Sequence, residues 1–336
     1  MTTMLHIAAQ KPNLRAWPEV FRKALREIGE LTIVEEGEAI APPQRAELIR
    51  RCRILITSWD SARVPAELAA DRGGLEYICN LTGSVGKFVP LELIEAGIPV
   101  TNWGDAPAHR LAEGAMALLL AVLKDLPRRV RIIREDGWRP DANTHGGSLE
   151  GMNVGIYGFG VIGRCFLELL RPFRGVIRIY DPYVSDFPSD CIVVHSLRDL
   201  FRPSEAIVIH AGLSEETRKS VTAELLALLP DQAIIINTAR GAIIDQEALF
   251  AELKSGRLRA GLDVLDPDRL APGHPARLWE NCILTTHDIG GGRPFGDREP
   301  DRLDRMHEIC LDNIRRHLAR QPLRFLMDRD RYLRST

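Results

Sequence analysis

Short apolar runs alternate with amphipathic stretches along nearly the whole chain. LHIAA, RILIT, LEYICN and IPVTN read as four strands in the N-terminal third, separated by helical patterns such as AWPEVFRKALREIG and PAELAADR. LAEGAMALLLAVLKDL, residues 111–126, follows as a long helix that is apolar on nearly every side. A helix without a polar face must be buried, in a core or against a second subunit. Then MNVGIYG, GVIRIYD, CIVV, AIVIHA, QAIIIN and LRAGLDV repeat the rhythm, and ILTTH closes it. Strands alternating with helices at this spacing predict an α/β fold of doubly wound parallel sheets, covered on both faces. Between these elements, PRRVRIIRE reads as a solvated helix face, and residues 127–150 lose the apolar rhythm in a loop carrying DGWRPDANTHGG. A last helix is expected over about 297–319, and FLMDRDRYLRST reads as a tail that packs back on something.

Composition narrows the class. At 336 residues the chain is about twice the usual domain size, so two domains are expected. Apolar residues at 45% and charged residues at 27% describe an ordinary globular protein. With 44 basic and 46 acidic residues the net charge is −2, so nothing points to nucleic acid or a membrane surface as partner. MTTMLHIAAQKPN lacks the features of a signal peptide, and the most apolar stretch, AMALLLAVL, is far too short to span a bilayer. The six cysteines form no CxxC pair, which indicates buried thiols in a reducing cytoplasm and supplies no metal-ligand cluster.

VGIYGFGVIGR sets Gly158, Gly160 and Gly163 in the spacing GxGxxG, directly after an apolar strand and at the start of a helix. That context gives the spacing its chemistry. Gly158 makes the tight turn, Gly160 lets backbone approach a pyrophosphate, and Gly163 allows close helix–strand packing. Asp181 ends the next strand, 18 residues past Gly163, where a carboxylate accepts from an adenosine ribose diol and repels a 2′-phosphate. Pro182 and Tyr183 follow it in place of an arginine, which favours NAD over NADP.

Two further strand ends carry charge. NTARGAIID follows QAIII and delivers Arg240, while RAGLDVLDPD delivers Asp263, Asp266 and Asp268. ILTTHDIGG then places His287 at the mouth of a third strand. Alone, an arginine after a strand is usually a salt-bridge residue, and one histidine is usually structural. Together they bring a cation, a carboxylate and an imidazole to the sheet edge that would hold the cofactor.

The series GFGVIG, Asp181, HAGLSEETR, NTARGAIID, GLDVLDPD and TTHDIGG resembles the D-isomer-specific 2-hydroxyacid dehydrogenase family. LTGSVGKFVP with GIPVTN resembles that family's substrate-domain loop, and the helix at 111–126 its dimer-interface helix. The resemblance implies a Rossmann NAD domain over residues 105–288. It also implies a flavodoxin-like substrate domain made of residues 1–104 and 289–336, with crossings near Asn102–His109 and His287–Gly292 acting as a hinge. It implies that Arg240 pairs with the substrate carboxylate and polarises the C2 carbonyl, a task suited to a planar charged fork. His287 would be the acid for reduction and the base for oxidation, with Asp268 behind it. Gly83, Ser84 and Val85 would receive the substrate carboxylate on backbone amides, and Asp263 would face the nicotinamide. Val161, Ile162, His210, Ala211, Thr217, Thr238 and Ala239 complete the implied NAD contacts. A homodimer is implied through the 111–126 helix, including Leu118, Leu119 and Val122.

Three positions depart from the family pattern. The usual glutamate before a proline is here Asp268 followed by Arg269, one methylene shorter. Either the backbone moves in, or water bridges the gap to His287, or Asp266 takes the role. Leu81 stands where phosphoglycerate-type members carry an arginine, so a phosphorylated substrate loses an anchor. Pro107–Ala108 replaces the usual pair before the long helix, leaving His109 and Arg110 near the hinge; Trp59, Trp103 and Arg293 are further pocket candidates. The reading is an NAD-dependent enzyme interconverting a D-2-hydroxy acid and its 2-oxo acid. The alternatives are an NAD(H)-sensing, corepressor-like binding protein and a formate- or phosphite-type dehydrogenase. Which acid is the substrate is not encoded in any periodicity.

Overall fold

The computed structural model describes residues 2–14, 16–138, 146–291 and 302–334. The chain divides into two compact units, Met1–Ala106 with Arg293–Thr336, and Pro107–Gly292. Both are parallel sheets wrapped by helices.

The first unit holds β1 (Thr3–Ile7), β2 (Glu30–Val34), β3 (Ile54–Thr57), β4 (Tyr77–Asn80) and β5 (Val100–Thr101) in the order 2-1-3-4-5, the flavodoxin-like doubly wound order. β3 and β4 are buried at every position, as parallel strands covered on both faces must be. β2 was missed by the apolar pattern. ELTIV is an edge strand with half-exposed faces, so it carries too few apolar positions to stand out. The last helix runs Arg305–Leu318, and the tail does pack back. Met327 N–H donates to the Val100 carbonyl (2.8 Å), and the Tyr332 hydroxyl to the Val89 carbonyl (2.8 Å).

The second unit holds β6 (Asn153–Tyr157), β7 (Val176–Tyr180), β8 (Ile192–Val193), β9 (Ala206–Ile209), β10 (Ile234–Asn237), β11 (Arg259–Leu262) and β12 (Cys282–Leu284). Their order is 12-11-10-9-6-7-8, a Rossmann sheet that reverses direction between β6 and β9. The reversal opens a crevice at the carboxyl ends, beside the glycine-rich turn that follows β6.

The all-round apolar helix is Ala108–Leu123, and the expected interface residues need correction. Leu118, Leu119 and Val122 are buried in this unit's own core, among Val154, Ile156, Phe166 and Ile236. A Cβ on Gly261 of β11 would lie 3.0 Å from that of Leu118, so this glycine lets the helix settle directly on the sheet. Its own chain buries these apolar positions, so they need no second subunit to cover them. The helix also ends earlier than its pattern suggests, because Asp125 is left-handed (φ 52°) and a second helix, Leu126–Arg134, starts there with no buried residue. No helix among the described residues is long and apolar enough to cross a membrane.

Candidate active site

The β6 turn is fixed by steric exclusion. Gly158 has φ +93°, and a Cβ on it would stand 2.4 Å from the Ala211 amide nitrogen. A Cβ on Gly163 would meet the Gly158 carbonyl oxygen at 2.4 Å, whereas one on Gly160 would project into open space. The first i→i−4 bond of helix Val161–Leu170 runs from Arg164 N–H to the Gly160 carbonyl (3.0 Å). The amides of Val161, Ile162 and Gly163 donate to no acceptor among the described residues, as expected at a helix start. Asp181 supports the same turn, its two oxygens accepting from Phe159 N–H (2.8 Å) and Tyr183 N–H (2.9 Å). Free amides, an open cradle at Gly160 and a carboxylate at the end of β7 fit a dinucleotide.

His210 and Ala211 leave β9 against Gly158, with His210 N–H donating to the Tyr157 carbonyl (2.7 Å). Burial pushes the His210 imidazole down to about 3, so the ring is neutral where it packs on Phe166. Thr217 closes the following loop, its hydroxyl donating to the Gly212 carbonyl (2.7 Å) and accepting from Ser214 N–H (2.7 Å).

The β10 end carries Thr238, Ala239 and Arg240. Buried Asn237 braces it from both sides: its amide donates to the Arg240 carbonyl (2.9 Å) and its oxygen accepts from Ala239 N–H (3.0 Å). Burial lowers the Arg240 guanidinium below its ordinary pKa, and the nearby Asp268 charge acts in the opposite direction. The group remains a cation under any working condition.

His287 follows β12 with a left-handed backbone (φ 59°), and its Nδ1 lies 2.6 Å from Asp268 Oδ2. The short carboxylate thus meets the ring directly, with neither a water bridge nor Asp266 between them. The backbone of Asp266 is instead held by the Gln246 side chain. Asp263 is buried, and its side chain meets the His287 segment. Its carboxylate accepts from the Thr285 hydroxyl (2.5 Å) and from the Ile289 amide (3.2 Å).

In the first unit, the loop after β4 is laced from within. Asn80 donates to the carbonyls of Thr82 (2.8 Å) and Ser84 (3.3 Å), and Asn102 to that of Gly83 (3.0 Å). With their carbonyls turned inward, the Gly83, Ser84 and Val85 amides donate to no acceptor among the described residues. Trp103 lies over Gly83, where a Cβ would come within 2.6 Å of its indole nitrogen, and Trp59 meets Trp103 edge-on at 5.7 Å. Leu81 is fully buried. His109 and Arg110 sit in the first turn of helix Ala108–Leu123; Arg293 lies outside the described residues.

The family described as D-isomer specific 2-hydroxyacid dehydrogenase, NAD binding domain, matches residues 116–288. The chain belongs to this family. A glyoxylate reductase of Thermofilum pendens is 31% identical over 81% of this chain and 83% of that protein. A D-3-phosphoglycerate dehydrogenase of Methanocaldococcus jannaschii is 29% identical over 79% of this chain, which spans only half of that relative's length. The solved D-2-hydroxyisocaproate dehydrogenase shares the fold, with a TM-score of 0.76 at 20% identity over 97% of this chain and 99% of that one. Within this 2-hydroxyacid dehydrogenase frame, motif reading passed over Asn237, Gln246 and Thr285. Asn237 and Thr285 stand inside quoted motifs, and a polar residue at the end of a buried strand is the signal that could have found them.

Proposed function

We propose that this family member is an NAD-dependent oxidoreductase that interconverts a D-2-hydroxy acid and its 2-oxo acid. The observation that carries the reading is the direct His287–Asp268 contact with Arg240 beside it. With Nδ1 engaged by the carboxylate, Nε2 is the nitrogen that gives a proton to the carbonyl oxygen in reduction and removes it in oxidation. Arg240 binds the substrate carboxylate and polarises the carbonyl. Bound NAD supplies or accepts the hydride. Val161, Ile162 and Gly163 hold its pyrophosphate, and Asp181 selects NAD by repelling a 2′-phosphate. The first unit is the substrate-binding domain, with Gly83, Ser84 and Val85 as its carboxylate-receiving amides. Small unphosphorylated acids such as glyoxylate and hydroxypyruvate fit best, because Leu81 offers a phosphate no anchor and relatives carry the name glyoxylate reductase.

A panel of 2-oxo acids with NADH tests the assignment. His287→Ala is expected to lower turnover on the best substrate by roughly two to four powers of ten, with NADH binding nearly intact. Retained turnover places the proton donor elsewhere, and no turnover by the unmodified protein on any acid favours a cofactor-sensing protein.

We further propose a homodimer, now through helix Leu126–Arg134. Leu126, Val130 and Ile133 form an exposed apolar stripe there, at 46%, 46% and 55% exposure. Sedimentation at micromolar concentration should show a dimer that Val130→Glu with Ile133→Glu turns into a monomer. A monomeric unmodified protein overturns this.

A further inference from the structure

Asp268 touches His287 directly, at 2.6 Å, so something must hold the backbone that carries this short carboxylate. Two features of the segment after β10 do so. Gly241 packs on the next loop so closely that a Cβ would lie 2.1 Å from the Leu265 carbonyl carbon and oxygen. Five residues on, Gln246 opens helix Gln246–Lys254, and its side chain grips one residue from both sides. Its amide nitrogen donates to the Asp266 carbonyl (2.9 Å), and its oxygen accepts from Asp266 N–H (2.9 Å). The helix start is itself fixed, because the Asp245 side chain accepts from Ala248 N–H (3.3 Å). The clamp therefore hangs from a rigid element and ends two residues before Asp268.

We propose that Gln246 is a positioning residue for the acid/base pair, setting the 265–268 segment at the depth where the short Asp268 carboxylate reaches His287 Nδ1 without a bridging water. The same short segment carries Arg240 at one end and Gln246 at the other. Substrate-binding cation and imidazole-orienting carboxylate are thus referred to one piece of backbone. Only an amide does this work, since it donates and accepts at once; a carboxylate at position 246 loses the donation, and an apolar side chain loses both. The inference rests on the reading of His287 as the acid/base.

Gln246→Met keeps the length and removes both bonds at a half-exposed site, so folding is preserved. The measurement pairs steady-state kinetics with proton NMR of the low-field His287 Nδ1–H resonance, the signature of an imidazole bonded to a carboxylate. Gln246→Met should abolish that resonance and lower kcat roughly 10- to 100-fold, the size of a misplacement of about 1 Å, with NADH affinity unchanged. Asp268→Glu added to Gln246→Met should restore the resonance and most of kcat, because the extra methylene spans the retreat. A persistent resonance in Gln246→Met overturns the clamp, as does a kcat loss that Asp268→Glu does not repair. The resonance reports the clamp whether or not His287 is catalytic. High turnover in His287→Ala would therefore sink the acid/base reading alone.

Discussion

Two turns of one sheet edge are built on opposite principles. The β6 turn is held by absence: Gly158 and Gly163 are required because any side chain would strike backbone 2.4 Å away. The His287 segment is held by presence. It depends on hydrogen bonds that the Asp263 carboxylate accepts from Thr285 and the Ile289 amide, and its partner Asp268 on those that Gln246 makes to Asp266, with the His287 and Asp268 side chains 44% and 57% accessible. A sterically defined turn tolerates one residue type and reads directly from the sequence. A turn defined by hydrogen bonds can be made by several residue types at several positions, so it reads only as far as its reactive groups.

The sharpest break between the two is expected from alanine at the glycines. Gly158→Ala faces both a positive φ and a backbone clash, and should destabilise by about 3 kcal/mol or more, with loss of NADH binding. Gly160→Ala points its methyl into open space, so the melting temperature should hold while NADH affinity falls. Thermal melts beside NADH titrations decide this. Equal melting temperatures for the two variants would mean that the turn is not sterically set.

That contrast also explains what the sequence disclosed. Both doubly wound sheets were legible because their central strands, such as ILIT in the first and AIVI in the second, are almost wholly apolar and buried at every position. β2 was not, since an edge strand needs little burial. The long helix showed that it must be buried but not by what. Burial by β11 depends on Gly261 making room for Leu118, a contact between distant residues that no local pattern contains. Asp268 was legible as the carboxylate for His287, but its direct contact was not, because it depends on where the 265–268 backbone lies.

The β6 turn also carries a cost that depends on pH. His210, packed where Gly158 leaves room, has its imidazole pushed down to about 3 by burial, against an ordinary value near 6.5. The unfolded chain therefore takes up this proton first. The stability is whole above about pH 6.5 and is lost progressively as pH falls from there towards 3. Part of the residue is exposed although its Nε2 is sealed, so about 2 kcal/mol by pH 4.5 is a suitable expectation. His210→Gln, which does not titrate, should show a shallower fall of melting temperature from pH 7 to pH 4.5. Parallel slopes for the two proteins would show that the acid sensitivity lies elsewhere.

The smallest effect should come from the brace behind His287. Thr285→Val preserves shape and removes the hydroxyl that donates to buried Asp263 at 2.5 Å, leaving that carboxylate with backbone amides of the following residues. Losing one hydrogen bond to a buried charge costs about 1.5–3 kcal/mol in stability. The kinetic effect should be smaller, because the Asp288 and Ile289 amides still tie the segment to Asp263 and the Asp268 contact is untouched. A roughly tenfold fall in kcat with unchanged NADH affinity is expected, in line with a slightly misplaced catalytic group. If the segment were instead sterically set like the β6 turn, Thr285→Val would leave kcat unaltered. If Asp263 acts mainly on the cofactor, NADH affinity will fall while kcat holds. The first outcome assigns the Asp263 carboxylate to the His287 segment, the third to the cofactor, and the second to neither.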